Sequence, residues 1–217
     1  ARWVQSATFG RLCATHSADG NRKDSKATTT GSVLGRSPTS HLSGTIQVTF
    51  WSNDTAKEVV MGTVDYTRCY HQGIRVPNLE LAMKELGESL SVTWCEPQER
   101  EQHVWTPGGG EQTIPLKFTY SAEGPQHIEL LEGAPGSIWD GRTHPGIHHV
   151  GVWSDDVKGE TEALVAQGWT LAMAQASPEK GYGAFTYVQP PSGLIVELVW
   201  SAIKPMFDRW FAGGPLG

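Results

Sequence analysis

The chain has little cysteine, no long apolar run and no excess of basic charge, and each shortage closes off a class of function. Cys13, Cys69 and Cys95 are odd in number, widely spaced and without a Cys-x-x-Cys pair. Neither a disulfide framework nor a thiolate zinc knuckle is expected, so any metal would be held by imidazole and carboxylate, which suit zinc, nickel, cobalt, manganese or iron. No apolar stretch approaches the ~20 residues of a membrane helix, and the first residues lack a basic start followed by an apolar run. A cytoplasmic location is expected, with no membrane partner. The formal charge of -6 and pI near 5.7 provide no basic stripe to follow a phosphate backbone. A small molecule, not nucleic acid, is the expected partner. With 38% hydrophobic residues in 217, the chain can bury a core.

Residues 1–60 read as an N-terminal extension, rich in Ser, Thr, Gly and basic residues, with Ile46–Trp51 as its one clear apolar segment. The first methionine, Met61, stands directly before the first well-patterned strand, so the natural protein is expected to start near it and to tolerate trimming of the extension. Residues 61–145 then predict a strand at Thr67–Val76, a helix at Leu79–Leu90, and strands at Val92–Glu96, Gln102–Thr106, Thr113–Tyr120 and Gln126–Glu132. The helix follows from apolar residues three to four apart, Leu79, Met83, Leu86 and Leu90, after the Pro77-Asn78 start.

The same order returns in residues 146–204: a strand at Ile147–Trp153, a helix opened by Asp155 and Asp156 and stopped by Gly168, and strands at Trp169–Ala174, Gly183–Gln189 and Leu194–Trp200. Residues 205–217 form a tail in which Met206, Phe207, Trp210 and Phe211 predict a short helix, capping either the core or a partner subunit. Tyr70-His71-Gln72-Gly73 aligns with His148-His149-Val150-Gly151, and Ile128-Glu129-Leu130 aligns with Val196-Glu197-Leu198. A histidine opens each unit and a glutamate closes each. Both glutamates sit in strands that are apolar on both faces, where a lone carboxylate costs several kcal/mol. Two such carboxylates at equivalent places repel each other, and one divalent ion between them, with two equivalent histidines, is the simplest remedy.

These segments, with Val76-Pro77-Asn78-Leu79 after the first and Pro190-Pro191-Ser192-Gly193 before the last, resemble the vicinal-oxygen-chelate superfamily, which includes glyoxalase I, methylmalonyl-CoA epimerase, extradiol dioxygenases and bleomycin-resistance proteins. The resemblance covers about Tyr66 to Trp200. It implies an α+β fold of two tandem βαβββ modules, forming a cup-shaped, half-open barrel sheet with helices outside. It also implies a metal set of His71, Glu129, His149 and Glu197, with Glu129 or Glu197 as catalytic base, and a homodimer. The implied chemistry is stabilisation of an enolate on a substrate with vicinal oxygens, as in an isomerase, epimerase or lyase. A metal-free binding protein of the drug-resistance type and a ring-cleaving dioxygenase are the alternatives. Residues Glu88–Trp94 lack the pattern common in glyoxalase I, and Ile147–Glu197 looks more like the epimerase branch.

Other residues are less sharply placed. His148 points away from His149 on a regular strand, unless a bulge exchanges them. His127 shares a face with Glu129 and is a candidate substrate or supporting contact. His103 and His144 lie by turns and are expected at the surface. Arg75 shares the face of His71 and could meet a substrate carboxylate or form a surface ion pair, while Glu123, Glu132 and Asp140 read as solvated charges. Most of the nine tryptophans are expected in the core.

Overall fold

A computed structural model describes residues 62–217; the expected extension, its Ile46–Trp51 segment and the Met61 start lie outside the described residues. The strands are β1 (Cys69–Arg75), β2 (Gln98–Thr106), β3 (Gly110–Tyr120), β4 (His127–Gly133), β5 (Gly146–Ser154), β6 (Thr170–Ala174), β7 (Phe185–Gln189) and β8 (Ile195–Trp200). Helix α1 (Leu79–Leu90) follows β1, α2 (Val157–Ala166) follows β5, and α3 (Lys204–Phe211) follows β8.

Local chemistry starts both long helices where the sequence predicts. The Asn78 side chain accepts from Leu81 N at 2.8 Å and the Asp156 side chain from Gly159 N at 2.9 Å, each satisfying an amide that the first helical turn leaves without a partner. The apolar stripe of α1 packs Leu79, Met83 and Leu86 against Val76, Ile128 and Leu130, whereas Leu90 lies exposed beyond the sheet. On α2, Val157 and Leu164 cover Val150, Val152, Val196 and Leu198.

The strands join in the order β1-β4-β3-β2-β6-β7-β8-β5 and close into a barrel. β1 runs parallel to β4 and β5 parallel to β8, while β1 and β5 pair antiparallel. The expected half-open cup is therefore corrected to a closed sheet. Its seam is narrow, a single pair between Trp105 and Ala174. The β2–β3 hairpin begins at Gln98 and carries ladder pairs through the polar Glu99, Arg100 and Glu101. The predicted strand Val92–Glu96 reduces to one bridge, Trp94 to Ser121. There Cys95 N donates to the Tyr120 carbonyl and Ala122 N to the Thr93 carbonyl, while the Trp94 indole donates to the Met83 carbonyl and Thr93 N to the Glu123 carboxylate.

Alternation along the strands divides the interior from the helix-covered face. Val199 and Ile195 of β8 and Leu131 of β4 join Phe118, Tyr120, Trp139, Met173 and Tyr187 inside the barrel, and the tail folds back so that Phe207, Trp210 and Leu216 complete this cluster. The tail helix thus caps its own chain's core. Among the described residues no helix is long and apolar enough to cross a membrane.

Candidate metal centre

The antiparallel pairing of β1 and β5 brings the two halves of the chain together at their histidines. His71 lies opposite Gly151 and His149 opposite Gly73. A Cβ built on Gly73 would fall within the His149 ring, and one on Gly151 within the His71 ring. Each imidazole therefore occupies the space that a side chain on the facing strand would need. His-x-Gly appears twice in the sequence for this reason, although sequence reasoning assigned the glycines no role.

Two irregularities in the same ladder shape the site. The register skips Tyr70 on one strand and His148 on the other, the residues immediately before His71 and His149. Such bulges turn a skipped residue inward beside its neighbour. His148 is accordingly buried, with its Nδ1 3.0 Å from the Nδ1 of His149, and Tyr70 sets its ring 4.4 Å from that of His71.

Glu129 and Glu197 reach the two imidazoles from β4 and β8, the parallel neighbours of β1 and β5. The two Nε2 atoms stand 2.8 Å apart. Glu129 Oε2 lies 3.5 Å from His71 Nε2 and 3.2 Å from His149 Nε2. Glu197 Oε2 lies 3.1 Å and 3.4 Å from the same nitrogens. All four residues are buried. Ligand atoms about 2.1 Å from one ion stand about 3.0 Å apart at right angles and about 3.4 Å apart at tetrahedral angles. One ligand atom from each of His71, Glu129 and His149 lies within 4.8 Å of the others.

Charge and protons test the fit to a cation. Burial opposes a charged imidazole at both positions, but the two carboxylates outweigh it, raising His71 above its ordinary value and His149 to about 9. Conversely, burial would raise Glu129 and Glu197, and hydrogen bonds from the imidazoles hold both below the usual carboxylate range. The cluster demands positive charge at its centre. Two imidazolium Nε2–H groups 2.8 Å apart repel each other, whereas a divalent ion can be shared by both nitrogens. The donor set therefore fits a divalent transition metal.

The neighbouring histidine supports this assignment. Burial lowers His148 to about 3, keeping it neutral, so its Nδ1 can accept the Nδ1 proton of His149 and leave the His149 Nε2 lone pair directed into the cluster.

A cavity of about 240 Å³ lies against the two glutamates. Tyr70, Tyr120 and Tyr187 form its aromatic walls, Met206 and Phe207 close one side, and Arg100, Gln102 and Gln175 add polar groups. Burial raises Tyr120 and Tyr187 well above the ordinary tyrosine value, so both stay protonated. The Trp139 indole donates to Tyr187 Oη at 3.2 Å, leaving the tyrosine hydroxyl hydrogen for another acceptor.

The remaining candidates fall elsewhere. His127 is buried, 2.7 Å from the Ser121 carbonyl through Nδ1 and stacked on Phe211 at 3.7 Å. His103 and His144 are exposed. Arg75 donates to the Ile138 carbonyl at 3.3 Å and does not line the cavity, whereas Arg100 does. The strand expected at Gln102–Thr106 extends back to Gln98 and so includes Arg100, two residues before Gln102 on the same face. Asp140 corrects the expectation of a solvated charge: it is buried, accepting from Thr143 Oγ1 at 2.6 Å and Gly136 N at 2.9 Å, which hold its carboxyl below the ordinary range. Glu132 accepts from Leu79 N at 2.8 Å and so caps α1.

A family model for the glyoxalase/bleomycin resistance protein/dioxygenase superfamily matches residues 70–187. No curated protein matches the chain. Among solved structures it is similar to a hypothetical protein from Bacillus halodurans, at 18% identity and TM-score 0.45, over 61% of this chain and 92% of that one. It is also similar to Streptomyces coelicolor methylmalonyl-CoA epimerase in complex with 2-nitronate-propionyl-CoA, at 18% identity and TM-score 0.44, over 62% and 94% of the two chains. The epimerase from Mycobacterium tuberculosis gives 17% identity and TM-score 0.43, over 64% and 91%.

Proposed function

The chain belongs to the glyoxalase/bleomycin resistance protein/dioxygenase superfamily, and from that premise we propose that it is a divalent-metal-dependent enzyme that moves a proton on a small molecule bearing two neighbouring oxygens. The reaction is an isomerisation, epimerisation or lyase step. One observation carries this: the Nε2 atoms of His71 and His149 meet 2.8 Å apart between two buried carboxylates. His71, Glu129, His149 and Glu197 would hold the ion, with residues 61–145 and 146–204 as two βαβββ modules that each contribute one histidine and one glutamate.

When bound, a divalent ion polarises a substrate oxygen and offsets the negative charge that develops there. The carboxylates of Glu129 and Glu197 face the cavity, and either can take the proton from the carbon beside a polarised carbonyl. In their resting contacts the imidazoles hold both below the ordinary carboxylate range. A carboxylate that turns to the substrate leaves those contacts, and burial then strengthens its hold on a proton. The un-ionised hydroxyls of Tyr120 and Tyr187 orient substrate oxygens as donors, and Met206 and Phe207 keep water from the reacting carbon. All four cluster residues come from one chain, so a homodimer, which remains part of the proposal, is not required to assemble them.

Exchange of substrate C–H for deuterium tests this reading. Chelated protein is reloaded with zinc, nickel, cobalt, manganese or iron and incubated in heavy water with small 2-hydroxy ketones and 2-oxo acids, followed by NMR. At least one metal should support exchange, and Glu129→Gln or Glu197→Gln should slow it about 10²–10⁴-fold if that residue is the base. Exchange that persists at full rate after metal removal contradicts metal dependence.

A further inference from the structure

Arg100 is a charge that the proton-transfer chemistry leaves unused. It projects from β2 on the face shared with Gln102 and Val104, while its neighbours Glu99 and Glu101 alternate to the other face. Val104 is buried in the core inside the barrel, and Arg100 and Gln102 line the cavity that also holds Glu129 and Glu197. The guanidinium carbon lies 4.4 Å from the centre of the Phe118 ring, which holds the side chain against the aromatic wall. Glu99 pairs with Lys117 instead, and among the described residues no carboxylate lies within ion-pair distance of Arg100. Gln175, which also lines the cavity, accepts from Ala184 N at 2.6 Å through its Oε1.

The charges sum to a prediction about the substrate. Glu129 and Glu197 meet the two buried imidazoles, and the remaining charged group on the cavity wall is the Arg100 guanidinium. A planar, five-donor fork is suited to a carboxylate held by two parallel hydrogen bonds. The cavity is smaller than the ~300–1,000 Å³ typical of drug-sized sites, and its walls are largely aromatic. We propose that Arg100 forms a carboxylate subsite, so that the substrate is a small aromatic or apolar acid whose carboxylate lies at the opposite end from its reacting oxygens. This deepens the proposed function and rests on it for the placing of the reacting end only.

Calorimetry with 3-phenylpropionate and 3-phenylpropionamide tests the subsite, using the full chain both after chelation and with added zinc. The acid should bind at least about tenfold more tightly than the amide in both states. Arg100→Gln should weaken the acid at least about tenfold and leave the amide unchanged, and Arg100→Lys, which keeps the charge without the fork, should recover part of the loss. Equal affinity for acid and amide, indifference to Arg100→Gln, or no binding of the acid would overturn the proposal. Acid binding that vanishes on chelation yet ignores Arg100 would place the carboxylate on the ion, overturning the subsite while sparing the metal reading. Arg100-dependent binding by a chain that takes up no metal would do the reverse.

Discussion

At the scale of single residues, the site is organised by what each buried charge needs. Glu197 in an apolar strand requires a cation, and Glu197→Gln removes the charge while keeping the shape, so metal occupancy and turnover should fall together; unchanged metal content would remove this residue from the cluster. His148 would act on a bound ion only through His149, so His148→Phe should lower zinc affinity about 10–100-fold, measured by competition with a chromophoric chelator. Equal affinity would show that His149 does not depend on that contact. The pH dependence has a definite sign. His149 is raised from 6.5 to about 9, so in the metal-free chain its proton contributes stability that is fully present below about pH 6.5 and is lost as pH rises through about 9. Metal displaces that proton. The Tm of chelated protein should therefore fall across this window while that of zinc-loaded protein does not, and parallel curves would contradict the linkage. Of these residues the sequence displays the four cluster members, because duplication repeats them. It does not display the role of His148, since a bulge depends on pairing with a distant strand.

At the scale of elements, the β1–β5 pair is the decisive contact. Gly73 and Gly151 each leave room for the imidazole on the facing strand. Gly73→Ala or Gly151→Ala should displace a histidine and cost at least about tenfold in metal affinity, with about 1–3 kcal/mol of stability from overpacking. Gly108→Ala, where an added Cβ meets nothing within 4 Å, is the control and should change neither. Retained affinity in both site variants would mean the rings can shift without loss. Helices α1 and α2 and the apolar strands β4, β5 and β8 were legible from periodicity and capping residues, because their signals are local. The polar start of β2 was not, since Glu99, Arg100 and Glu101 become strand only through pairing with β3, and Arg100 was missed with it.

At the scale of the whole molecule, the barrel closes on itself and the tail helix completes its core. Trp210 is fully buried among Phe118, Tyr120 and Phe207, so Trp210→Ala should lower the unfolding free energy by about 3–5 kcal/mol in urea titrations, whereas a loss below about 1 kcal/mol would mean the tail is not part of the folded core. Closure of the sheet was not legible, because a single Trp105–Ala174 pair makes the difference between a barrel and an open cup. The arrangement as a whole serves to bring two imidazoles and two carboxylates to one point beside a cavity. Its most direct test is the metal content of protein prepared without chelator and again after reconstitution. One divalent transition-metal ion per chain, lost in the His71→Ala and His149→Ala variants, is the predicted result; less than about a fifth of an equivalent in the wild-type chain after reconstitution would contradict it.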